Sequence, residues 1–195
     1  MKTKFKQAFE SYYNRLYDLY HDEFSTEPTI CYDTDEFFDP EIDRSMILSE
    51  PSEDGESIWG LLKVGDYDFS EIEQTIGFTL NEELKAFYSS YLFLHLAGDY
   101  ILNQENEIVT LYFDALKSKG SIEKMAIIAS KNGNYYFEGS QTFAIGSANY
   151  SGDDAYIIFY DNETGKVFIY ESDTENKIEL PDSLLEIINK LEAIF

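Results

Sequence analysis

The 195-residue sequence is poor in cysteine, in proline and above all in cationic side chains. Its single cysteine, Cys31, excludes a disulfide within the chain, fits a reducing compartment and is expected to be a small buried filler. The 14 Lys and Arg residues face 38 Asp and Glu, which gives a formal net charge of −24. Nucleic acid is therefore not an expected partner, because phosphate binding draws its affinity from Lys and Arg. Anionic membrane surfaces repel the same charge.

Long apolar runs are missing as well. The longest nearly uncharged apolar stretch, residues 87–97, is far too short to span a bilayer. Polar residues such as Gln7 and Glu10 interrupt the segment that would have to form the core of a signal peptide. We therefore predict a cytoplasmic protein that does not insert directly into a membrane, although a protein partner could hold it at the inner face.

Familiar catalytic and cofactor motifs are also missing. The sequence has no Gly-x-Ser-x-Gly elbow, no Walker phosphate loop and no Gly-x-Gly-x-x-Gly turn opening a helix. Two histidines, His21 and His95, and one cysteine cannot build a zinc shell without carboxylates. Inside the apolar run 93–96, His95 is expected to be a hydrogen-bonded core residue. These absences disfavour an enzyme and predict no cofactor.

Tyrosine and phenylalanine, in contrast, are abundant, with 16 and 15 copies, and hydrophobic residues make up 44% of the chain. This composition excludes a disordered acidic tail, because such tails contain few aromatic and few large apolar residues. A folded chain of this length buries roughly 70% of the surface of its extended form. We expect a single domain over residues 1–195.

The first half of the chain favours helices. Large apolar residues recur every three or four positions near the N-terminus and predict an amphipathic helix over residues 4–24. The acidic, proline-containing stretch 25–57 predicts a loop with one short strand at 29–32. A strand is then expected over 58–64. Two helices follow, with capping-box spacing at Ser70/Glu73 and Thr79/Glu82 and a stop at Gly77.

The second half favours strands. The pattern predicts strands at 93–96, 100–102, 108–113 and 141–145, and a hairpin that pairs 155–160 with 166–171. Between them we expect a helix over 114–119 that ends at Gly120, a turn at Asn132-Gly133 and a last helix that begins at Pro181; residues 122–130 fit a helix or a buried strand. This order predicts an α+β fold, a mostly antiparallel sheet with helices packed against it.

Paired carboxylates are the remaining chemical signal, since two carboxylates at a set separation can perform acid–base work. The pairs are Asp153-Asp154 and Asp66/Asp68, and a calcium site could use Asp153, Asp154, Asp161 and Glu163. The spacing does not match an EF-hand loop. A carboxylate- or metal-dependent hydrolase is the alternative function, but 38 acids in 195 residues produce close pairs by chance.

Three stretches resemble the SUKH superfamily and, within it, the Syd group of SecY-interacting proteins. They are Phe9-Glu10-Ser11-Tyr12-Tyr13 continuing to Tyr20-His21-Asp22-Glu23, residues 72–80 continuing to Leu84-Lys85-Ala86-Phe87-Tyr88, and Ala97-Gly98-Asp99. Their order spans nearly the whole chain. The sequence departs from the superfamily pattern at Asn81, where many members have proline, and in a longer step before Ala97.

The resemblance implies an α+β binding domain without catalytic activity. In the Syd group the partner is the cytoplasmic side of the SecY channel, whereas many members of the wider superfamily are immunity proteins that neutralise nuclease toxins. Cytoplasmic channel loops carry excess Lys and Arg, and a nuclease presents a basic face to its substrate. A basic protein partner therefore agrees with the net charge of −24. A structural subunit of a larger assembly is a third hypothesis.

We predict that an acidic concave face around the sheet, bordered by residues 33–43, meets this partner. Acidic residues would steer and select the partner, while Tyr32, Phe37 or Tyr100 would anchor it. The candidate partner-binding residues are Asp33, Asp35, Glu36, Asp39, Asp99, Asp153 and Asp154. Asp99 stands out because it lies in the matched Ala97-Gly98-Asp99, where its alternative role is to cap a turn.

Overall fold

The computed structural model describes residues 1–31 and 41–195. The α-helices of this part are α1 (Lys2–Phe24), α2 (Ser70–Ile76), α3 (Glu82–Ser90), α4 (Lys119–Tyr136) and α5 (Leu184–Lys190), and a 3₁₀ turn covers Arg44–Met46. Across the described residues, none of these helices combines the length and the apolar character needed to cross a bilayer.

The strands form one large sheet and two small ones. They are β1 (Thr29–Cys31), β2 (Glu56–Ile58), β3 (Leu62–Lys63), β4 (Tyr91–Leu92), β5 (Ala97–Ile101), β6 (Ile108–Phe113), β7 (Thr142–Tyr150), β8 (Asp153–Asp161), β9 (Lys166–Glu171), β10 (Asn176–Ser183) and β11 (Glu192–Ala193). The seven-stranded sheet has the order β10-β9-β8-β7-β6-β5-β11, and each pairing is antiparallel. Strand β1 pairs with β2, and β3 pairs with β4. The α+β class predicted from the sequence is confirmed.

Helix α1 packs its apolar stripe into the main core. Phe5, Phe9 and Leu16 are fully buried. The ring of Phe9 lies 5.8 Å from that of Phe87 in α3 and 5.3 Å from that of Phe93. The predicted helix is therefore confirmed, and its three- and four-residue spacing is the cause, because only a helix places these side chains on one face.

A hydroxyl group fixes α1 to the large sheet. The Tyr12 hydroxyl donates to the carbonyl oxygen of Ala97 at 2.8 Å and accepts from the Ala97 backbone N–H at 2.9 Å. Burial raises the pKa of Tyr12 well above its usual value. Because Ala97 begins β5, this pair of hydrogen bonds sets the height of the helix on the sheet.

The helices pack mainly on one face of the sheet, and only the C-terminal end of α4 reaches the other face. The main core joins side chains of α1, α3, α4 and α5 to Leu111, Phe143, Ile158 and Ile169 of the central strands. The sheet curls toward these helices. Five strand spacings separate β5 from β10, roughly 24 Å in a flat sheet, yet the Tyr100 hydroxyl of β5 donates to Asp182 of β10 at 2.5 Å.

The buried carboxylate of Glu83 joins three elements beneath the sheet. It lies at the start of α3, accepts from the Leu185 backbone N–H of α5 at 3.2 Å, and accepts from the Tyr160 hydroxyl of β8 at 3.4 Å. Burial, together with this carboxylate, raises the pKa of Tyr160. Glu83 therefore satisfies polar groups that the core would otherwise leave without a partner.

Several predicted elements are confirmed. Residues 108–113 form β6 as expected, and the predicted hairpin is β8 and β9, with Gly165 at a φ of 72° in its turn. The segment 122–130 is helical. His95 is half-buried, with Nε2 2.9 Å from the carbonyl oxygen of Ile194, and burial lowers its pKa.

The predicted strand over 58–64 is wrong as a single element. Strand β2 ends at Ile58 and β3 begins at Leu62, because the chain changes partners between them. The Trp59 N–H donates to the carbonyl oxygen of Pro28, and the Gly60 N–H donates to that of Met46 at 2.8 Å. The capping boxes predicted for α2 and α3 are also wrong. Ser70 is the first residue of α2, and its N-cap Phe69 makes no side-chain hydrogen bond to the helix. Asn81, not Thr79, caps α3 by accepting from the Glu83 N–H.

The helix predicted over 114–119, its end at Gly120 and the turn predicted at Asn132-Gly133 are wrong. Helix α4 begins at Lys119, capped by Ser118, and runs through both glycines. A Cβ on Gly133 would lie 1.9 Å from the carbonyl oxygen of Thr142, so glycine here allows the helix to approach β7 closely. The helix needs this glycine for packing, whereas the local sequence pattern indicated a turn.

Two further expectations, for Pro181 and for Cys31, are wrong. The last helix begins at Leu184 rather than Pro181, because Pro181 belongs to the edge strand β10 and Ser183 forms the capping box with Glu186. An edge strand tolerates proline, which cannot donate to a neighbouring strand. Cys31 is exposed instead of buried.

The two glycines of α4 provide a matched test of its close approach to β7. We expect Gly133→Ala to lower the free energy of unfolding by about 3 kcal/mol, the upper range for overpacking, because backbone must move. Gly120→Ala, whose Cβ meets its nearest atom at 4.0 Å, should raise it by up to about 1 kcal/mol through helix propensity. Urea unfolding measures both, and changes of the same sign would contradict the packing.

The role of Glu83 predicts a second contrast. Glu83→Ala should lower the free energy of unfolding by about 2 kcal/mol, because it leaves the Leu185 N–H and the Tyr160 hydroxyl without their charged acceptor. Glu82→Ala, at the neighbouring exposed position with one ion pair to Lys85, should cost much less. Equal losses in urea unfolding would show that Glu83 has no special role.

Candidate binding surface on the open face of the sheet

The face of the sheet opposite the main core is covered over one half. Phe159 and Phe168 on β8 and β9 pack with Ala144 beneath Tyr136 and Phe137, at the C-terminal end of α4. The ammonium of Lys177 lies 3.9 Å above the centre of the Phe168 ring. This small second core ends near β7.

Over the other half, the side chains on β5, β6 and β7 have no helix above them among the described residues. Cross-strand pairs place Asp99 beside Thr110, Ile101 beside Ile108, and Tyr112 beside Ser147. Ile101 is 55% exposed, Ile108 51% and Tyr112 40%. We call this surface the open face, and its residues are Asp99, Ile101, Ile108, Thr110, Tyr112, Ser147, Asn149 and Ile157.

The open face combines apolar side chains with negative charge. None of its eight residues is cationic, and the acid Glu192 of β11 stands directly opposite Asp99. Because the sheet curls toward its helices, this face is the convex side, whereas the sequence led us to expect a concave one.

Asp99 lies within a strand, so the turn-capping role considered for it is wrong. Its Oδ1 accepts from the Thr110 hydroxyl at 2.7 Å. A Cβ on Gly98 would lie 2.3 Å from the carbonyl oxygen of Glu192, so glycine admits β11 at this edge. With Ala97 held by Tyr12, each residue of Ala97-Gly98-Asp99 therefore has a structural role.

Asp153 and Asp154 lie at one end of the open face, at the start of β8. The turn before them passes through Ser151 at a φ of 55° and Gly152 at 80°, and Oδ1 of Asp153 accepts from the Ala155 N–H at 3.0 Å. The turn 102–107 reaches the same end, since Tyr150 pairs with Val109. Acidic residues therefore border this end of the face.

The other predicted contact residues fall into two groups, those outside the described residues and Tyr100. Asp33, Asp35, Glu36 and Asp39, with Tyr32 and Phe37, lie outside the described residues. Tyr100 is wrong as an anchor, because its side chain is fully buried and its hydroxyl is bonded to Asp182. Burial raises the pKa of Tyr100.

Several of the carboxylates considered for a hydrolase or a calcium site have partners within the protein. Asp68 accepts from Ser70, and Asp161 accepts from the Glu163 and Thr164 N–H groups of the hairpin turn. Asp66 lies 4.0 Å from the Lys2 ammonium. Among the side chains that the structure describes, which do not include that of Asp154, no three His, Cys, Asp or Glu residues lie close enough together to hold a metal ion.

Sequence reasoning missed Asp114. It continues the alternation of β6, so it extends the series Ile108, Thr110 and Tyr112 at the end of the sheet opposite Asp153. That period of two was the available signal. Asp114 lines a groove of about 440 Å³. The other residues that line this groove are Asn132, Tyr135, Tyr136, Ala144, Gly146 and Ile157.

The Asp114 carboxylate is isolated in this groove. Although the residue is exposed, its surroundings desolvate the carboxyl and raise its pKa above the usual value of 3.8. No described residue donates a hydrogen bond to the carboxylate. The pKa of buried Tyr88 is raised mainly by burial, and the charge of Asp114 raises it further. The groove therefore holds an acceptor that the protein itself does not satisfy.

A second groove, of about 610 Å³, lies between α1 and the segment 60–63. Its wall is mostly apolar and includes Leu48, which is 60% exposed, and Tyr17. Tyr91 donates to Glu10 at one side, and burial, followed by this hydrogen bond, raises the pKa of Tyr91. Lys63 also lines this groove, so its charge is mixed, unlike that of the open face.

Comparison with known proteins adds no relative to this picture. No protein-family model matches the chain, and no curated protein matches it.

The raised pKa of Asp114 predicts the pH dependence of stability. Below the usual value of 3.8 the carboxyl is protonated in both folded and unfolded chains, so it costs nothing. As the pH rises through the higher folded pKa, ionising a desolvated group destabilises the folded protein. Asp114→Asn should therefore raise the melting temperature at pH 7 and leave it nearly unchanged near pH 3.

The matched control for this measurement is Glu105→Gln, in the exposed turn at the other end of the sheet. It removes the same charge but no desolvated carboxylate, so its effect should be smaller. An Asp114→Asn variant that is less stable than the wild type at pH 7 would contradict the conclusion that the desolvated Asp114 carboxylate destabilises the folded protein.

Proposed function

We propose that the chain is a protein-binding domain without catalytic activity whose open face docks on a basic surface of another protein. The observation that carries the proposal is the union of three exposed apolar side chains, on Ile101, Ile108 and Tyr112, with acidic residues at the edge and both ends of the face. Such a surface matches a partner that presents aliphatic or aromatic contacts ringed by Lys and Arg.

Charge supports the choice of partner. A formal net charge of −24 gives the whole protein a negative field that attracts cationic proteins over distances of about a Debye length, roughly 8–10 Å. Steering of this kind raises association rates and falls as salt is added. Asp99, Glu192 and Asp114 would place part of this field at the contact.

Packing supports the choice of surface. Binding free energy concentrates in a few well-placed apolar or aromatic side chains, and the pair Ile101–Ile108 with Tyr112 offers such a group on a rigid sheet. The backbone that carries these side chains is already ordered by the pairing of β5 with β6, so little backbone entropy is lost on binding.

The resemblance to the SUKH superfamily and its Syd group supports two sources for the partner. One is the cytoplasmic loops of SecY, which would place the protein at the inner face of the membrane through that contact. The other is a nuclease toxin, with the chain acting as its cytoplasmic immunity protein. Both present the basic protein surface that the proposal requires.

The test is a direct binding measurement with both candidates. The purified chain is titrated against SecY of the source organism in nanodiscs and, separately, against the nuclease domain of a toxin encoded beside its gene. We expect one of them to bind, at least about tenfold more weakly at about 500 mM than at about 50 mM salt. The double variant Ile108→Ser/Tyr112→Ser should lose binding.

The control variant is Ile128→Ser, which changes a 40%-exposed isoleucine on α4 away from the open face and should bind like the wild type. Melting temperatures of both variants report whether they remain folded. The proposal fails if neither candidate binds at the lower salt concentration, if salt has no effect, or if both variants bind equally.

A further inference from the structure

The groove at Asp114 has the chemistry of a site for one cationic side chain. It lies where α4 crosses the end of β6 and where β7 carries a bulge between Ala144 and Gly146. A Cβ on Gly146 of β7 would lie 2.1 Å from the carbonyl oxygen of Tyr112 in β6, so this glycine lets β6 and β7 remain paired at the bulge. The floor of the groove is therefore backbone held in place by the sheet.

The carboxylate is positioned before any ligand arrives. The Asp114 N–H donates to the carbonyl oxygen of Ile145 at 3.1 Å, which fixes the backbone at the end of β6. No described side chain neutralises the carboxylate, and its desolvation is a cost that a bound cation would remove. A carboxylate on a fixed backbone, without a partner among the described residues, favours a positively charged ligand.

Two tyrosines form the wall of the groove. The ring of Tyr136 is fixed by contacts with Phe159 at 5.6 Å and Tyr170 at 6.2 Å. The ring of Tyr135 meets it at 90° with 5.1 Å between centroids and remains 81% exposed. An aromatic ring this exposed, beside a carboxylate, offers a face to a cation within about 6 Å.

We propose that this groove receives the guanidinium group of an arginine from the protein partner. Asp114 accepts its hydrogen bonds, Tyr135 supplies the ring on which it stacks, and the side-chain oxygen of Asn132 is a second acceptor. This assignment rests on the proposed function, and it names the chemistry of one contact beside the open face.

Arginine fits this groove better than lysine does. Its guanidinium is planar, donates two parallel hydrogen bonds to one carboxylate and stacks on an aromatic face. A lysine ammonium is a compact, strongly hydrated charge that gains less from a flat ring. Ile157, which lines the groove and belongs to the open face, joins the two surfaces.

The experiment titrates N-acetyl-arginine methylamide into the full, isotope-labelled chain and follows backbone amide signals by NMR. The neutral isostere N-acetyl-citrulline methylamide and the lysine analogue are titrated in parallel. We expect shifts centred on Asp114, Asn132 and Tyr135, with the citrulline compound about tenfold weaker, since one charge-assisted hydrogen-bonded pair contributes at least that factor. The lysine compound should be intermediate.

Two variants make the assignment specific. Asp114→Asn should weaken the arginine compound about tenfold, and Tyr135→Ala should weaken it by several-fold through loss of stacking. Asp22→Asn removes the same charge at an exposed position near the C-terminal end of α1 and should leave the affinity unchanged. All three changes are at exposed positions, and the spectra show directly that each variant is folded.

Three results would overturn the assignment. The first is equal binding of the citrulline and arginine compounds. The second is a set of signal shifts that are scattered over the acidic surface and that Asp114→Asn does not change. The third is tighter binding of the lysine compound than of the arginine compound. The outcome is separate from the test of the open face. If partner binding fails while the arginine compound binds, the proposed function is wrong. If Ile108→Ser/Tyr112→Ser abolishes partner binding but Asp114→Asn does not weaken binding of the arginine compound, the assignment of this groove is wrong.

Discussion

One-sided packing of the large sheet governs the rest of the structure. The main core lies between the helices and one face of the strands, and the hydroxyl of Tyr12 fixes α1 to that face through both backbone groups of Ala97. Packing on one side curls the sheet until Tyr100 reaches Asp182 on the edge strand. The opposite face is covered only where Tyr136 and Phe137 fold over β8 and β9, among the residues described.

The open face follows from this arrangement. A sheet that has buried one face tolerates polar and apolar residues on the other, and isoleucines left exposed there lose contact with water only when something covers them. Ile101, Ile108 and Tyr112 do not pack into either core. In the function proposed above, the acidic residues at the borders would add selectivity for a cationic partner.

How much the sequence predicted depends on the distance over which each signal acts. The spacing of Phe5 and Phe9 predicted α1, and the alternation over 108–113 predicted β6, since both signals are local. Gly133 and Pro181 misled, because each is explained by the position of its element in the fold. Gly133 lies against the carbonyl oxygen of Thr142 in β7, and Pro181 lies in the edge strand β10. Asp99 is a further example, because it lies in β5 between β6 and the distant strand β11 instead of capping a turn.

The sequence by itself determined the α+β class, the buried aromatic stripe of α1 and the strong negative charge, because composition and periodicity act without knowledge of the fold. Tertiary structure decided which acids stand together. Asp99 meets Thr110 and Glu192 across strands, while Asp114 meets Tyr135 and Tyr136 only because Gly133 lets α4 lie against β7. Strand pairing and helix packing set such neighbours, and both depend on contacts between residues far apart in the chain.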